Sequence, residues 1–302
     1  MNPLHLIEYF LFQLLGFVVR LVPLRTVQKV GASAGELLYA AVGFRKTITL
    51  ENLRQAFPEK PLQELDRIAR TAFRSVGTSL FEFLWFPRFL PDQIRETVRI
   101  ENPDLIKEIH GRGKGIILLT AHFGNWELLA LGLHVELGIP IHIIVKPQSN
   151  DLVDKRINRW RTLWGNKVVP MGVAVREILR ALQDGGVVGI VADQSAPKES
   201  LTVEFFGRQV PTYEGPAVFS LKTGAPMMIG FAIRQPDGTY RSTFEEVPTD
   251  DLRMHSAENV AELTRRHVRI TERYIRLYPG QWMWMHKRWK HVLERDSVEV
   301  GS

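Results

Sequence analysis

The feature that most constrains the fold of this chain is the alternation of short apolar runs with helical patterns after Val98. Three of the runs are GIILLT, IHIIVK and GGVVGIVAD, and turn residues bound them. Short buried runs are typical of parallel strands, and the helical segments between them provide the crossovers that parallel pairing needs. We therefore predict an α/β fold with a largely parallel central sheet covered by helices.

Two further runs, PMMIGFAIRQ and TYRSTFEEV, are joined by Pro-Asp-Gly, which is a strong turn signal. They are predicted to form a strand pair. The predicted helices of this region cover residues 125–137, 151–164, 173–183, 216–223 and 256–278.

The segment from Leu4 to Leu24 is rich in large apolar residues, and a bilayer-crossing helix needs about 20 of them. Its few polar residues share one arc of a helix, so it could lie in the membrane interface or cross with that arc turned toward protein. A buried core helix is the alternative. We expect a membrane-anchor helix over residues 1–24, a helical region over 25–97 that packs on the core, and an α/β core over 98–302; the last two form one catalytic domain.

Composition excludes several kinds of chemistry. The chain has 302 residues and no cysteine, which rules out disulfides, thiolate nucleophiles and cysteine-ligated zinc. Its formal net charge of +6 favours anionic partners, although simple solubility explains it as well. No nucleic-acid-binding motif is present, and GRGKG at Gly111–Gly115 lacks the spacing of a phosphate-binding loop.

The stretch LLTAHFGNWELLALG breaks an apolar run with His122 and Glu127. His122 follows a predicted strand, Asn125 is a candidate N-cap, and Glu127 falls in the first helical turn. Across such a turn, a carboxylate can hydrogen-bond one imidazole nitrogen and make the other more basic. The alternative is a loop histidine that satisfies backbone groups.

Several blocks follow one another along the chain: TAHFGNWE, the arginine-rich VKPQSNDLVDKRINRWR, GGVVGIVADQ with VEFFGRQVPT, and PGQWMWMHKRWK. In this order they resemble the blocks of the bacterial lipid A late acyltransferases, the lauroyl/myristoyl transferase family. That family belongs to a wider glycerolipid acyltransferase group with a His-x4-Asp/Glu motif. The resemblance covers the chain to about Arg295, and it departs from the family at SAPKES, where a glycine-rich turn is usual.

The resemblance implies acyl transfer from acyl carrier protein, or from acyl-CoA, to a hydroxyl of a lipid A precursor. Phosphatidylinositol mannosides, lysophospholipids and aminolipids are alternative acceptors. His122 would be the general base and Glu127 its orienting partner, with no metal and no cofactor. Backbone amides near Gly124 and a second-block arginine are candidate donors to the tetrahedral oxyanion.

The resemblance also suggests substrate contacts. Arg159 and Arg161 would bind a phosphate or the donor, together with Gly124 and Asn125. Asp193 and Gln194 would position the acceptor; holding an arginine or capping a turn are alternative roles for Asp193.

The C-terminal block carries two further predictions. Trp282, Met285 and Trp289 are spaced as one helical face and are expected in the core, whereas Lys287, Arg288 and Lys290 are expected to form a basic surface. That surface would contact anionic lipid or acyl carrier protein, or be merely solvated. We expect the protein at the bacterial inner membrane with its site facing the cytoplasm.

Overall fold

A seven-stranded sheet forms the centre of the protein in the computed structural model, which describes residues 2–252 and 254–292. The strands described are β1 (Val98–Ile100), β2 (Ile116–Thr120), β3 (Ile141–Val145), β4 (Lys167–Pro170), β5 (Val187–Val191), β6 (Thr202–Phe205), β7 (Arg208–Pro211), β8 (Met227–Arg234) and β9 (Tyr240–Glu246).

The sheet order is β1-β9-β8-β2-β5-β3-β4. All neighbours run parallel except β8 and β9, which pair antiparallel across the Pro-Asp-Gly turn. The strands β6 and β7 form a separate hairpin. The predicted α/β class, the largely parallel sheet and the β8–β9 strand pair are therefore confirmed.

Helices cover the sheet and precede it in the chain. Their bounds are α1 (Pro3–Val19), α2 (Leu24–Ala41), α3 (Gly43–Ala56), α4 (Leu62–Trp85), α5 (Pro91–Thr97), α6 (Pro103–Gly111), α7 (Trp126–Leu137), α8 (Asp151–Arg161), α9 (Ala174–Gln183), α10 (Gly215–Thr223) and α11 (Ala257–Leu277). The predicted helix over 151–164 ends earlier than expected, at Arg161.

Two apolar cores lie on opposite faces of the sheet. Ile117 and Leu119 of β2 belong to the core that includes α9, α10 and α11, and the alternate residues Ile116 and Leu118 belong to the core that includes α6 and α7. Because successive strand residues point to opposite faces, both faces of β2 are buried. This explains why β2 reads as a continuous apolar run.

Helices α2 and α4 cross at very short range. A Cβ atom added at Gly35 would lie 2.1 Å from the carbonyl oxygen of Phe73, so only glycine fits there. The small residues of α2 thus let α4 run close beside it. Helix α4 reaches from this crossing to the turn after β2, where Ser79 donates a hydrogen bond to the Gly124 carbonyl.

Helix α1 has 17 residues, and no helix among residues 2–252 and 254–292 is long and apolar enough to cross a membrane. The prediction of a crossing helix is therefore not supported. The buried-core alternative does not fit either, because only Gly16 and Val19 of α1 are buried, whereas Phe10 is 72% exposed.

The C-terminal block is not an α-helix. A short 3₁₀ turn at Pro279–Gln281 is followed by irregular chain, so the predicted helical face is wrong. Trp282 and Trp289 are nevertheless buried, as expected for the core. The prediction that Arg288 lies on a basic surface is also wrong, because its side chain is buried and donates to the Pro211 carbonyl and the Thr212 hydroxyl.

Candidate active site

His122 and Asp193 meet at the carboxyl edge of the sheet. The strands β2 and β5 are parallel neighbours, and the two residues follow the respective strand ends by two positions. The Nδ1 atom of His122 lies 2.7 Å from Oδ1 of Asp193, and the backbone N–H of His122 donates to Oδ2 at 2.8 Å. The topology therefore brings together two residues that are far apart in sequence.

Trp282 supplies a third hydrogen bond to the same carboxylate. Its Nε1–H donates to Oδ2 of Asp193 at 2.7 Å, and the adjacent backbone N–H of Met283 donates to the His122 carbonyl at 3.0 Å. The side chain of Asp193 is only 4% exposed. In this geometry the carboxylate bonds His122 and Trp282, and its expected role in positioning the acceptor stays a prediction.

Burial and charge oppose each other in this pair. Burial raises the pKa of Asp193, but the charge and hydrogen bonds of His122 outweigh it, so the pKa of that carboxyl lies below its usual range. Burial lowers the pKa of His122, but Asp193 outweighs it and raises the pKa of the imidazole above its usual value. The pair therefore favours a carboxylate beside a histidine of increased basicity.

The arrangement leaves Nε2 of His122 as the basic nitrogen. A carboxylate can only accept, so Nδ1 carries the proton and Nε2 of the neutral ring carries the lone pair. The side-chain amide nitrogen of Gln194 lies 3.4 Å from Nε2, a long hydrogen bond, and Trp126 packs edge-on against the imidazole at 4.9 Å. This nitrogen is oriented to accept a proton from a bound molecule.

Glu127 forms an ion pair with Arg161, at the last turn of α8. The guanidinium Nε lies 3.0 and 3.2 Å from the two carboxylate oxygens, and Nη2 donates a further short bond to Oε1. Burial lowers the pKa of Arg161, but the bonds to Glu127 outweigh it and raise that pKa above its usual value. Such a bidentate pair fixes both side chains in one geometry.

The predicted hydrogen bond between Glu127 and His122 is not found in the described part of the chain, and Asp193 takes that position. Glu127 acts on His122 only through its charge, which contributes to the raised pKa of the imidazole. Of the two second-block arginines predicted to contact substrate, Arg161 pairs with Glu127, whereas Arg159 is exposed on another face of α8.

Gly124 and Asn125 build the turn between His122 and the helix α7. Gly124 has a φ of 54°, and an added Cβ atom would lie 1.8 Å from the Ala232 carbonyl oxygen, so the position requires glycine. Its own N–H donates to the Gln281 carbonyl at 2.8 Å, so this amide is engaged within the turn, and the prediction that backbone amides near Gly124 donate to the oxyanion stays a prediction.

The predicted N-cap is confirmed, because Oδ1 of Asn125 accepts from the Leu128 N–H at 3.0 Å. The side chain of Asn125 is fully buried, so it supports α7 and does not face a substrate.

The sequence reasoning missed two residues of the site region, Glu82 and Arg234. Glu82 is the lone carboxylate in the apolar, aromatic stretch LFEFLWF and is fully buried beside Arg234. A charge inside such a stretch is the signal that could have found it, since charged groups are rarely buried unless they are paired.

Helix α1 packs against α8, which carries Arg161. Phe12 stacks on Trp160 with ring centroids 5.3 Å apart, and the Asn150 amide donates to the Glu8 carboxylate at 2.9 Å. The Arg161 end of the candidate site therefore lies on a helix that packs against α1, many of whose apolar side chains are exposed.

Taken together, these groups can deprotonate a bound hydroxyl. Among the described residues, the hydrogen-bond partner of His122 Nε2 is the Gln194 side-chain amide rather than a serine or threonine hydroxyl, so the nucleophile would come from a substrate. Within residues 2–252 and 254–292, no group of three or more histidine, aspartate or glutamate side chains is placed to hold a metal ion.

Comparison with known proteins identifies relatives along nearly the whole chain. The model of the family described as bacterial lipid A biosynthesis acyltransferase matches residues 2–291. The chain is 28% identical to the lipid A biosynthesis lauroyltransferase of Escherichia coli K12, over 96% of this chain and 93% of that protein. It is 27% identical to the lipid A biosynthesis palmitoleoyltransferase of the same strain, with the same coverage. It is also 23% identical to the phosphatidylinositol mannoside acyltransferase of Mycolicibacterium smegmatis, over 79% of this chain and 77% of that protein.

Proposed function

The chain belongs to the bacterial lipid A biosynthesis acyltransferase family and is an acyltransferase, and we propose that it esterifies a hydroxyl of a lipid A precursor. The acyl donor is a thioester of acyl carrier protein or of coenzyme A. The observation that carries the proposal is the His122–Asp193 pair, in which Nδ1 of His122 is engaged by the carboxylate and Nε2 has only the long contact with the Gln194 amide as its partner in the described part of the chain.

The reaction proceeds by general base catalysis. The Nε2 atom of His122 takes the proton of the acceptor hydroxyl as its oxygen attacks the thioester carbonyl carbon. A tetrahedral intermediate forms and collapses, which breaks the carbon–sulfur bond and completes the ester. The imidazolium returns the proton to the departing sulfur, so the products are an ester and a free thiol. Throughout the reaction, Nδ1 of His122 keeps its proton and donates it in a hydrogen bond to the Asp193 carboxylate.

The oxyanion of the tetrahedral intermediate needs hydrogen-bond donors to stabilise its negative charge. The Gln194 amide contacts Nε2 at 3.4 Å in the free protein, and an arriving hydroxyl would displace it. The amide could then donate to the oxyanion. Glu127 holds Arg161 by its bidentate bonds, and its charge stabilises the imidazolium formed by proton transfer. Glu127 thus keeps part of the role implied by the family resemblance.

Membrane association would bring the lipid acceptor to this site. Phe10, Leu11 and Leu14 of α1 are more than half exposed, and Leu37 of α2 is 69% exposed. We propose that these side chains enter the membrane interface, with α1 lying in its plane. Since α1 packs on α8, a lipid hydroxyl could reach His122 without leaving the membrane surface. The expected location is the cytoplasmic face of the bacterial inner membrane, where acyl carrier protein supplies the donor.

A substrate panel tests the proposed reaction. The purified chain is given acyl carrier protein or coenzyme A thioesters together with a lipid A precursor, a phosphatidylinositol mannoside or a lysophospholipid. Mass spectrometry then identifies the acylated product. We expect ester formation on the lipid A precursor, and preference for another lipid would refute that acceptor. The variant His122→Ala should lose transfer while circular dichroism stays unchanged, and near-normal turnover would refute the mechanism.

Flotation with anionic vesicles tests the membrane proposal. The variant Phe10→Asp should bind vesicles less tightly, whereas Leu277→Asp at the end of α11 is a matched control, because Leu277 is similarly exposed at 62%. Equal loss of binding in both variants would refute the role of α1.

A further inference from the structure

A fully buried carboxylate, Glu82, lies between the apolar core and the active-site turn. Its Oε1 atom accepts from the Arg234 guanidinium at 3.0 Å and from the Gln28 amide at 2.8 Å. Its Oε2 atom accepts from the Asn125 amide at 2.8 Å and from the Tyr240 hydroxyl at 2.6 Å. Four donors from three separate parts of the chain thus converge on one side chain, since Arg234 and Tyr240 are partners in the β8–β9 pair.

The contact with Asn125 decides which way that amide points. Because Glu82 can only accept, the Nδ2 atom of Asn125 must face it, and Oδ1 is left to accept from the Leu128 N–H and cap α7. One turn earlier on α4, Ser79 donates to the Gly124 carbonyl at 2.6 Å. Helix α4 therefore holds two consecutive residues of the turn that separates His122 from Glu127.

Packing alone would not require a charged side chain at position 82. A buried ion pair often adds little stability compared with apolar side chains of similar volume. The charged groups that act on the pKa of His122 are Asp193, Glu127 and Arg161. The influence of Glu82 on the site is therefore one of geometry and passes through the turn.

We propose that Glu82 is a positioning residue for the acyl transfer reaction, which acts by orienting the Asn125 amide and thereby placing His122 and Glu127 relative to each other. The kinetic test of this inference rests on the proposed function, whereas the test by amide hydrogen exchange does not.

The variant Glu82→Gln tests this role. The Arg234 guanidinium requires the oxygen of the new amide, so the NH₂ group turns toward Asn125. The Asn125 amide must then flip, which presents its own NH₂ to the Leu128 N–H and removes the cap. Because small misplacements at an active site are costly, we expect kcat to fall about 100-fold while KM changes less than about twofold. The pH midpoint of kcat/KM should not move.

A second substitution should restore the turn. In the double variant Glu82→Gln/Asn125→Asp, the introduced carboxylate accepts from both the NH₂ group of the introduced glutamine and the Leu128 N–H, so the cap is rebuilt. Asn125→Asp alone places two carboxylates in contact and should be impaired like Glu82→Gln. We expect kcat of the double variant to recover to within about tenfold of the wild type.

A control variant distinguishes a loss of active-site geometry, seen in kcat, from a loss of stability, seen in Tm. The variant Ser220→Ala removes a buried hydroxyl that bonds the Ala225 carbonyl at 2.8 Å, at the end of α10. It should lower Tm without changing kcat. If Glu82→Gln keeps kcat within about twofold, or if the double variant regains Tm but not kcat, the proposal is wrong. Should Glu82→Gln not fold, Asn125→Asp alone takes its place, with about a 100-fold loss of kcat expected and an unchanged kcat as the refuting result.

Amide hydrogen exchange gives a readout independent of acyl transfer. The Leu128 N–H should exchange at least about tenfold faster in Glu82→Gln and return to the wild-type rate in the double variant. If the wild type transfers no acyl group but this exchange pattern holds, the proposed reaction fails and the positioning role survives. If transfer occurs and the exchange rate does not change, the positioning role fails.

Discussion

Replacing Asp193 by asparagine should invert the proton arrangement of His122. The Trp282 indole N–H and the His122 backbone N–H both donate to Oδ2, so the carbonyl oxygen of an asparagine must occupy that position. The NH₂ group then faces Nδ1 of the imidazole. This nitrogen must accept, which moves the ring proton to Nε2 and removes the lone pair that would take the hydroxyl proton.

The expected loss is large because the change affects the reacting atom directly. The same replacement in serine protease triads lowers kcat about 10⁴-fold, and we expect a loss of about 10³- to 10⁴-fold here, or about 4 to 5.5 kcal/mol. The affinity for both substrates should change little, since the Asp193 side chain is only 4% exposed.

The assay is product formation measured by mass spectrometry over a range of pH, with folding followed by circular dichroism. Nitrogen-15 chemical shifts of the imidazole report which nitrogen is protonated. We expect protonated Nδ1 in the wild type and protonated Nε2 in Asp193→Asn. A folded variant that keeps kcat within about tenfold of the wild type would refute the reasoning.

Three other outcomes follow from the geometry. Because the pKa of His122 is raised and the proposed reaction needs the neutral ring, kcat/KM should rise with pH through a midpoint above the usual histidine value; a midpoint below that value would contradict this. The variant Arg161→Lys cannot make the bidentate contact with Glu127, so kcat should fall about tenfold while folding persists, and unchanged kinetics would argue against a role for the pair. In Gly124→Ala the added Cβ would meet the Ala232 carbonyl at 1.8 Å, so Tm should fall by several degrees, about 2 kcal/mol or more, and an unchanged Tm would contradict the clash.

The sequence predicted the sheet edge correctly but not the pairing of groups on it. The ends of β2 and β5 were predicted from apolar runs, and this placed His122 and Asp193 on one edge. Two carboxylates, Asp193 and Glu127, were then available to the same histidine. The choice between them depends on the position of α8, whose Arg161 binds Glu127, and sequence spacing carries no information about that packing.

The C-terminal block shows a second limit of prediction from the sequence. Trp282, Met285 and Trp289 have helical spacing, but the chain after Gln281 is irregular because it pairs with the active-site turn. That pairing brings the Trp282 indole to Asp193. Arg288 was expected at the surface because arginine usually lies there, whereas tertiary contacts with Pro211 and Thr212 satisfy it in the core.

The central claim is that His122 makes this chain a lipid acyltransferase, and the lipid masses of cells test it most directly. A bacterial strain that lacks its own secondary lipid A acyltransferases is compared with and without this protein. We predict that its lipid A gains the mass of one ester-linked acyl chain when the wild type is expressed, and that folded His122→Ala gives no gain. The absence of any gain with the wild type, or an equal gain with His122→Ala, would contradict the account.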